Sequence, residues 1–231
     1  MFSNRPITNN INKIMINNKE VSKVNNFKLL GITVDDKLKW NEHIHIINQK
    51  IAINKAKLSL PKSQLRMLYH AIVYPHITYG ISIWGSAHEV HKLKLKITQK
   101  KILRIINGSK YDAPSEPIFK ILNIMKLDDV YQYFTTSYVL KFLRKQLPVS
   151  NRNLFKIVPD IHDRNTRQNK SYKLHIYRPS TVKTSQSIIC KGPQMWNSLD
   201  NNLYLNNLNQ LVSLHVFTRR LKHKILNNYR V

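Results

Sequence analysis

Two pairs of neighbouring aspartates, Asp35-Asp36 and Asp128-Asp129, are the residues of this chain whose types and spacing come nearest to catalysis. Adjacent carboxylates at the end of a strand are what a two-metal site uses to hold Mg²⁺. Asp35-Asp36 follows the apolar run from Phe27 to Val34 and precedes a helical pattern opening near Trp40. The same pair is also an ordinary strand-to-helix junction with Asp36 as N-cap. Two-metal chemistry also needs a converging third ligand, and the residues of this stretch leave both readings open. His88-Glu89-Val90-His91 has the residue types of a zinc helix, but its histidines stand three apart instead of four, which turns the second imidazole away. His43, His45, His70 and His76 read as structural. Cys190, the single cysteine, excludes an internal disulfide and reads as an inert thiol. Neither a glycine-rich phosphate loop nor a nucleophile elbow is present. Apart from the aspartate pairs, the residues name no catalytic group and no metal ligand.

What they offer instead is positive charge. Thirty-eight Lys and Arg face twelve Asp and Glu, a formal charge of +26. Such an imbalance adds self-repulsion and points to a polyanionic partner, nucleic acid first, although ribosomal and membrane-surface proteins share it. Lys92, Lys96, Lys100 and Arg104 recur every four residues, with Lys101 adjoining. Such a row can follow a phosphate backbone or serve as a solvated face. Arg164, Arg167, Lys170 and Lys173 form a second group, read either as a nucleic-acid contact or as a loose basic loop. Arg178, Lys183 and Lys191 follow it, with Tyr172 and Tyr177 placed to stack on bases. Six to ten phosphate contacts would lower affinity by roughly 10³ to 10⁵ between 50 and 200 mM salt.

The elements that must carry these residues are mostly helical. Ile11 to Ile16 and Phe27 to Val34 read as two strands turning at Asn17-Asn18-Lys19-Glu20. Trp40, Ile44, Ile47, Ile51 and Leu58 give a helix over about 37–59, ended by Pro61. A second starts near Lys62 and is bent or broken at Pro75. Ile81 to Trp84 is a short apolar passage between Gly80 and Gly85. A third helix over about 88–107 stops at Asn107-Gly108, and two more cover Pro114 to Leu122 and Asp128 to Arg144. Residues 149–170 read as a polar linker. Tyr172 to Tyr177 alternates like a strand, paired with Ser187 to Cys190. A last helix runs from about Asn209 to Tyr229, with Leu211, Leu214, Phe217, Leu221 and Ile225 on one face. Trp40, Trp84 and Trp196 sit in apolar contexts and read as core anchors. No window approaches the ~18 uninterrupted apolar residues of a membrane span.

Four blocks in order carry a resemblance. Phe27-Lys28-Leu29-Leu30-Gly31-Ile32 through Trp40 resembles the segment after the catalytic core in reverse transcriptases of non-LTR retrotransposons, the jockey and CR1-like group. Leu68-Tyr69-His70-Ala71-Ile72-Val73-Tyr74-Pro75-His76-Ile77-Thr78-Tyr79-Gly80 with Trp84-Gly85 resembles the second thumb helix. Gln99 to Asn107 resembles the next. Asn165-Thr166-Arg167 and Gly192 to Leu199 resemble the C-terminal region. The resemblance implies a mainly α fold: a helical thumb-like bundle with a short N-terminal β-hairpin remnant of the palm and a second small β-hairpin near the C-terminus. It divides the chain into a palm remnant (1–36), thumb (37–108), helical extension (109–148), basic linker (149–170) and C-terminal hairpin plus amphipathic helix (171–231). Leu30, Gly31 and Ile32 then correspond to the primer grip, and Met1 to an internal methionine of a longer reading frame.

The family's catalytic block, an aromatic and a small residue before two aspartates, matches neither Thr33-Val34-Asp35-Asp36 nor Lys126-Leu127-Asp128-Asp129. The resemblance thus implies a fragment of an RNA-directed DNA polymerase that binds RNA or an RNA/DNA template–primer, without catalysis of its own. It implies no cofactor in this chain, Mg²⁺ belonging to the parent enzyme, no small-molecule substrate, no membrane partner, and an intracellular setting in nucleus or cytoplasm. A free-standing basic nucleic-acid-binding module and a degenerate transposon relic remain as alternative readings.

Overall fold

A computed structural model describes residues 15–53, 60–158 and 172–229. The chain opens with two antiparallel hairpins. β1 (Met15–Ile16) pairs with β2 (Lys19–Glu20), and β3 (Asn26–Leu29) with β4 (Ile32–Asp35). Here the single hairpin expected from the sequence is corrected: Phe27 to Val34 is not one strand but doubles back on itself. Leu30 and Gly31 both take positive φ, 47° and 84°, the conformation a two-residue hairpin turn demands. Asn17 and Asn18 close the first hairpin in the same way, at 48° and 61°.

Helices make up the rest: α1 (Asn41–Ile53), α2 (Lys62–Leu68), α3 (Tyr74–Thr78), α4 (Ile81–Trp84), α5 (Glu89–Asn107), α6 (Ser115–Ile121) and α7 (Leu127–Leu143). A 3₁₀ turn at Val149–Asn151 leads to α8 (Val182–Gln186), α9 (Ile188–Asn197), α10 (Asn201–Tyr204) and α11 (Leu214–Asn227). The mainly α expectation holds. Between α2 and α3 the helix continues through a π segment, Tyr69–Val73, in which the Tyr74 N–H reaches back to Tyr69 O. Pro75 therefore does not break the helix: a wide turn lies just before the residue that cannot donate.

α5 and α7 are the axes of the core. α5 packs on α1, α2 and α6, while α7 is covered by α3, α4, α9 and α11. α7 is buried nearly all round, through Val130, Tyr131, Val139 and Leu140. Its buried Thr136 and Ser137 hydroxyls donate back to Gln132 O (2.8 Å) and Tyr133 O (2.6 Å), so they enter the core paired. α5 ends as its sequence predicts. Gly108 takes φ 69°, and Ser109 N–H donates to Arg104 O at 2.9 Å, closing a Schellman turn.

The C-terminal hairpin is the second correction. Ser187 to Cys190 is not a strand; Ile188–Asn197 is helical, and Gly192 sits where a Cβ would meet Phe155 and Val139 at 3.0–3.3 Å. Leu174 forms one antiparallel bridge with Ile157. Asn197 stands in for a missing strand, its amide donating to Leu174 O (2.7 Å) and accepting from Leu174 N–H (2.9 Å). The last helix starts at Leu214, not near Asn209, because Leu211 is bridged to Leu205 and the Ser213 hydroxyl caps Val216 N–H. Trp84 and Trp196 are fully buried and Trp40 packs against the core at its edge. No helix among the described residues is long and apolar enough to cross a membrane.

Candidate nucleic-acid interface

The aspartate pair is a folding device. Asp35, not Asp36, does the capping: its carboxylate accepts from the N–H groups of Lys37 (3.1 Å), Lys39 (2.9 Å) and Trp40 (2.8 Å). The helix begins four residues later than its expected start at 37 because those three donors first wrap around Asp35. Leu38 and Trp40 are held at φ 51° and 64°, positions that cost a non-glycine residue of order 1–3 kcal/mol each. Asp128 and Asp129 are committed as well, the first to lysines, the second to the hydroxyl of Tyr229. Burial raises the Asp129 carboxyl above its ordinary value. Among the described residues no three His, Cys, Asp or Glu side chains converge on a metal position.

The lysine row splits in two. A step of four residues overshoots a full turn by about 40°, so the row swings by about 120° from Lys92 to Arg104. Its first members face α7. Lys92 is buried and reaches Glu89 (2.8 Å), Asp128 (3.1 Å) and Gly85 O (3.3 Å). Lys96 bridges Glu89 (2.5 Å) and Asp128. Both cations are thus already matched by carboxylates of the chain. Lys100 is exposed. Lys101 lies over the Tyr111 ring at 5.5 Å, and Arg104 Nε donates to Ala113 O at 2.8 Å. Beside them, exposed Val90, Leu93 and Ile97 make an apolar stripe flanked by exposed Lys94. Sequence reading missed this mixed face, although its i, i+3, i+7 spacing was visible. It reaches from Val90 past Lys101.

Hydrogen bonds from Lys92 and Lys96 hold the Glu89 carboxyl at about 2, far below its ordinary 4.5. Burial opposes the charge on Lys96, but its bonds to Asp128 and Glu89 outweigh that and raise it. Because the Glu89 value is depressed by folding, its stabilisation is present above the ordinary value and is lost as pH falls through about 2. Its side chain is 64% exposed, so screening keeps the effect small. Unfolding curves of the wild type and Glu89→Gln should converge as acid is added; a constant offset down to the lowest pH would remove Glu89 from the network.

Of the second cationic group, Arg164, Arg167 and Lys170 lie outside the described residues. Lys173 is turned inward, donating to Asn197 O (2.8 Å) above Tyr204. Leu30 and Gly31 form the tip of the β3–β4 hairpin and Ile32 its return. The tip is tied down: Tyr79 donates through its hydroxyl to Leu30 O, its ring covers Gly31, and Ile32 lies over Gly80. His43 secures the return strand by accepting the Thr33 N–H at Nδ1 (3.3 Å), against Trp84. The fold also gathers Arg66, His70 and Lys222, where burial and the two neighbouring cations lower the His70 imidazole. Sequence spacing cannot show a cluster shared by α2 and α11.

The chain has sequence relatives among known proteins. Over 146 residues, 60% of the chain, it is 30% identical to the RNA-directed DNA polymerase from mobile element jockey of Drosophila melanogaster. This chain is related to the jockey-type RNA-directed DNA polymerases. The jockey polymerase of Drosophila funebris and the probable RNA-directed DNA polymerase from transposon X-element of D. melanogaster each match at 25% identity over 133 residues, 54% of the chain. The matches cover 16%, 14% and 15% of these jockey-type relatives, so the chain spans about a sixth of their length. No family model matches, and no solved structure does.

Proposed function

We propose that this chain is the thumb-side part of a mobile-element reverse transcriptase and grips an RNA or RNA/DNA template–primer by its backbone. The carrying observation is the outer face of α5, where Lys94, Lys100 and Lys101 flank exposed Val90, Leu93 and Ile97. Cations on such a face meet phosphates, and the apolar stripe meets sugars, which positions a duplex without reading its sequence. Lys92 and Lys96 stiffen this helix against α7 instead of touching the ligand, and Arg104 holds the turn that presents Lys101 and Tyr111. Arg164, Arg167 and Lys170 are assigned to the same ligand, whereas Lys173, held by Asn197 O, is left out of it. Leu30, Gly31 and Ile32 act as a primer-grip-like tip. Relation to jockey-type polymerases supports the reading, as does the charge of +26.

The test is fluorescence anisotropy with a labelled RNA/DNA hybrid across a salt series. Lys100→Ala/Lys101→Ala should weaken binding and flatten the log–log salt slope by roughly two. An unchanged slope removes α5 from the interface. The chain alone is expected to be inactive in primer extension; Mg²⁺-dependent extension by the purified chain would overturn that part.

A further inference from the structure

Beneath the hairpin, between the connector after β4, α4, α7 and the α8–α9 corner, lies a largely apolar cavity of about 510 Å³. Sites for small ligands run from roughly 300 to 1,000 Å³. Trp40, Ile83, Tyr138 and Ile188 supply its apolar walls, Lys183 and Gln186 its polar ones. Two of these wall residues are held in advance. The Trp40 backbone N–H donates to the Asp35 carboxylate, and Asn151 donates to the Tyr138 hydroxyl at 3.0 Å. The Lys183 ammonium and the Gln186 amide have no partner among the described residues.

We propose that this cavity takes one unpaired base of a single-stranded nucleic acid, with Gln186 on the base edge and Lys183 on the adjoining phosphate. Aromatic and apolar walls accept the face of any base. An amide offers both a donor and an acceptor to the edge. Charge decides the occupant: an apolar protein segment would cover Lys183 and Gln186 without pairing them, which is costly, whereas a nucleotide satisfies both. The site is separate from the duplex-facing role of α5, which uses other residues on another face.

The probe is a labelled ten-nucleotide uridine strand, compared with an abasic strand of equal length. The wild type should prefer the uridine strand at least about fivefold. Trp84 and Trp196 are fully buried, so quenching of tryptophan emission on binding reports Trp40. Ser82→Phe, which puts a bulky ring into the cavity where the base would lie, should abolish both the preference and the quenching while affinity for the abasic strand stays the same. Should that variant not fold, Lys183→Ala/Gln186→Ala serves instead and should lose most of the preference. Equal binding of the two strands by the wild type, or a preference that survives these changes, overturns the proposal. So does a longer polymerase piece in which Trp40 is already shielded from acrylamide without nucleic acid, because the cavity would then be filled by protein. Lys100→Ala/Lys101→Ala should leave the preference for bases intact, which separates failure here from failure of the α5 reading.

Discussion

Trp196→Ala is expected to lower the unfolding free energy by about 3–5 kcal/mol, the cost of truncating a fully buried aromatic residue. Trp196 is 0% exposed and joins three stretches of chain. Its Nε1–H donates to Tyr172 O at 2.8 Å, and its ring meets Tyr204 at 4.6 Å and Phe217 at 5.7 Å. Alanine would leave a cavity among α9, α10 and α11 and strip the Tyr172 carbonyl of its donor. Trp196→Phe keeps most of the volume and should cost less than half as much. Denaturant unfolding followed by far-UV circular dichroism measures both. A loss below about 1 kcal/mol for the alanine variant would show that the C-terminal helices do not share this core.

Asp35→Ala is expected to cost about 2–3 kcal/mol, and Asp36→Ala to stay within about 0.5 kcal/mol. Three N–H groups converge on the Asp35 carboxylate and hold Leu38 and Trp40 at positive φ. Without it the connector relaxes, and the hairpin loses its angle to α1. Asp35→Asn keeps an acceptor oxygen and should fall between. A metal pair behaves in the opposite way: removing either carboxylate relieves repulsion in the ion-free protein and abolishes Mg²⁺ binding. Equal effects at both positions, with loss of Mg²⁺ heat in calorimetry, would falsify the structural role assigned to Asp35.

Local chemistry made much of this fold legible. Asn107-Gly108 ends α5 because glycine alone enters the left-handed region there without strain, and the apolar spacing of α1, α5 and α11 shows which faces go inward. Leu30-Gly31 was not legible as a turn, since leucine at positive φ is uncommon. It is stabilised by Tyr79, forty-nine residues away. Ile188-Ile189-Cys190 is too short an apolar run to distinguish strand from helix, and Gly192-Pro193 looks like a stop. The helix continues because Gly192 lets it approach Phe155 and Val139. The cationic row was visible in its spacing but not in its use, because Asp128 lies thirty-six residues beyond Lys92. The family was readable from ordered blocks. The cavity beside Trp40 was not, since four separate elements build it.

The wide turn at Tyr69–Val73 has a consequence for sequence history. A π turn accommodates one extra residue without rotating the helix beyond it. Leu65 on one side of the turn and Ile77 on the other both remain in the core. An ordinary α-helix with the same insertion would swing its second half by about 100° and carry Tyr79 away from the hairpin tip. Here the helix can lose that single residue and keep its faces aligned. A one-residue gap opposite 69–73 in a related chain therefore marks the same helix, with Tyr79 still in reach of the hairpin.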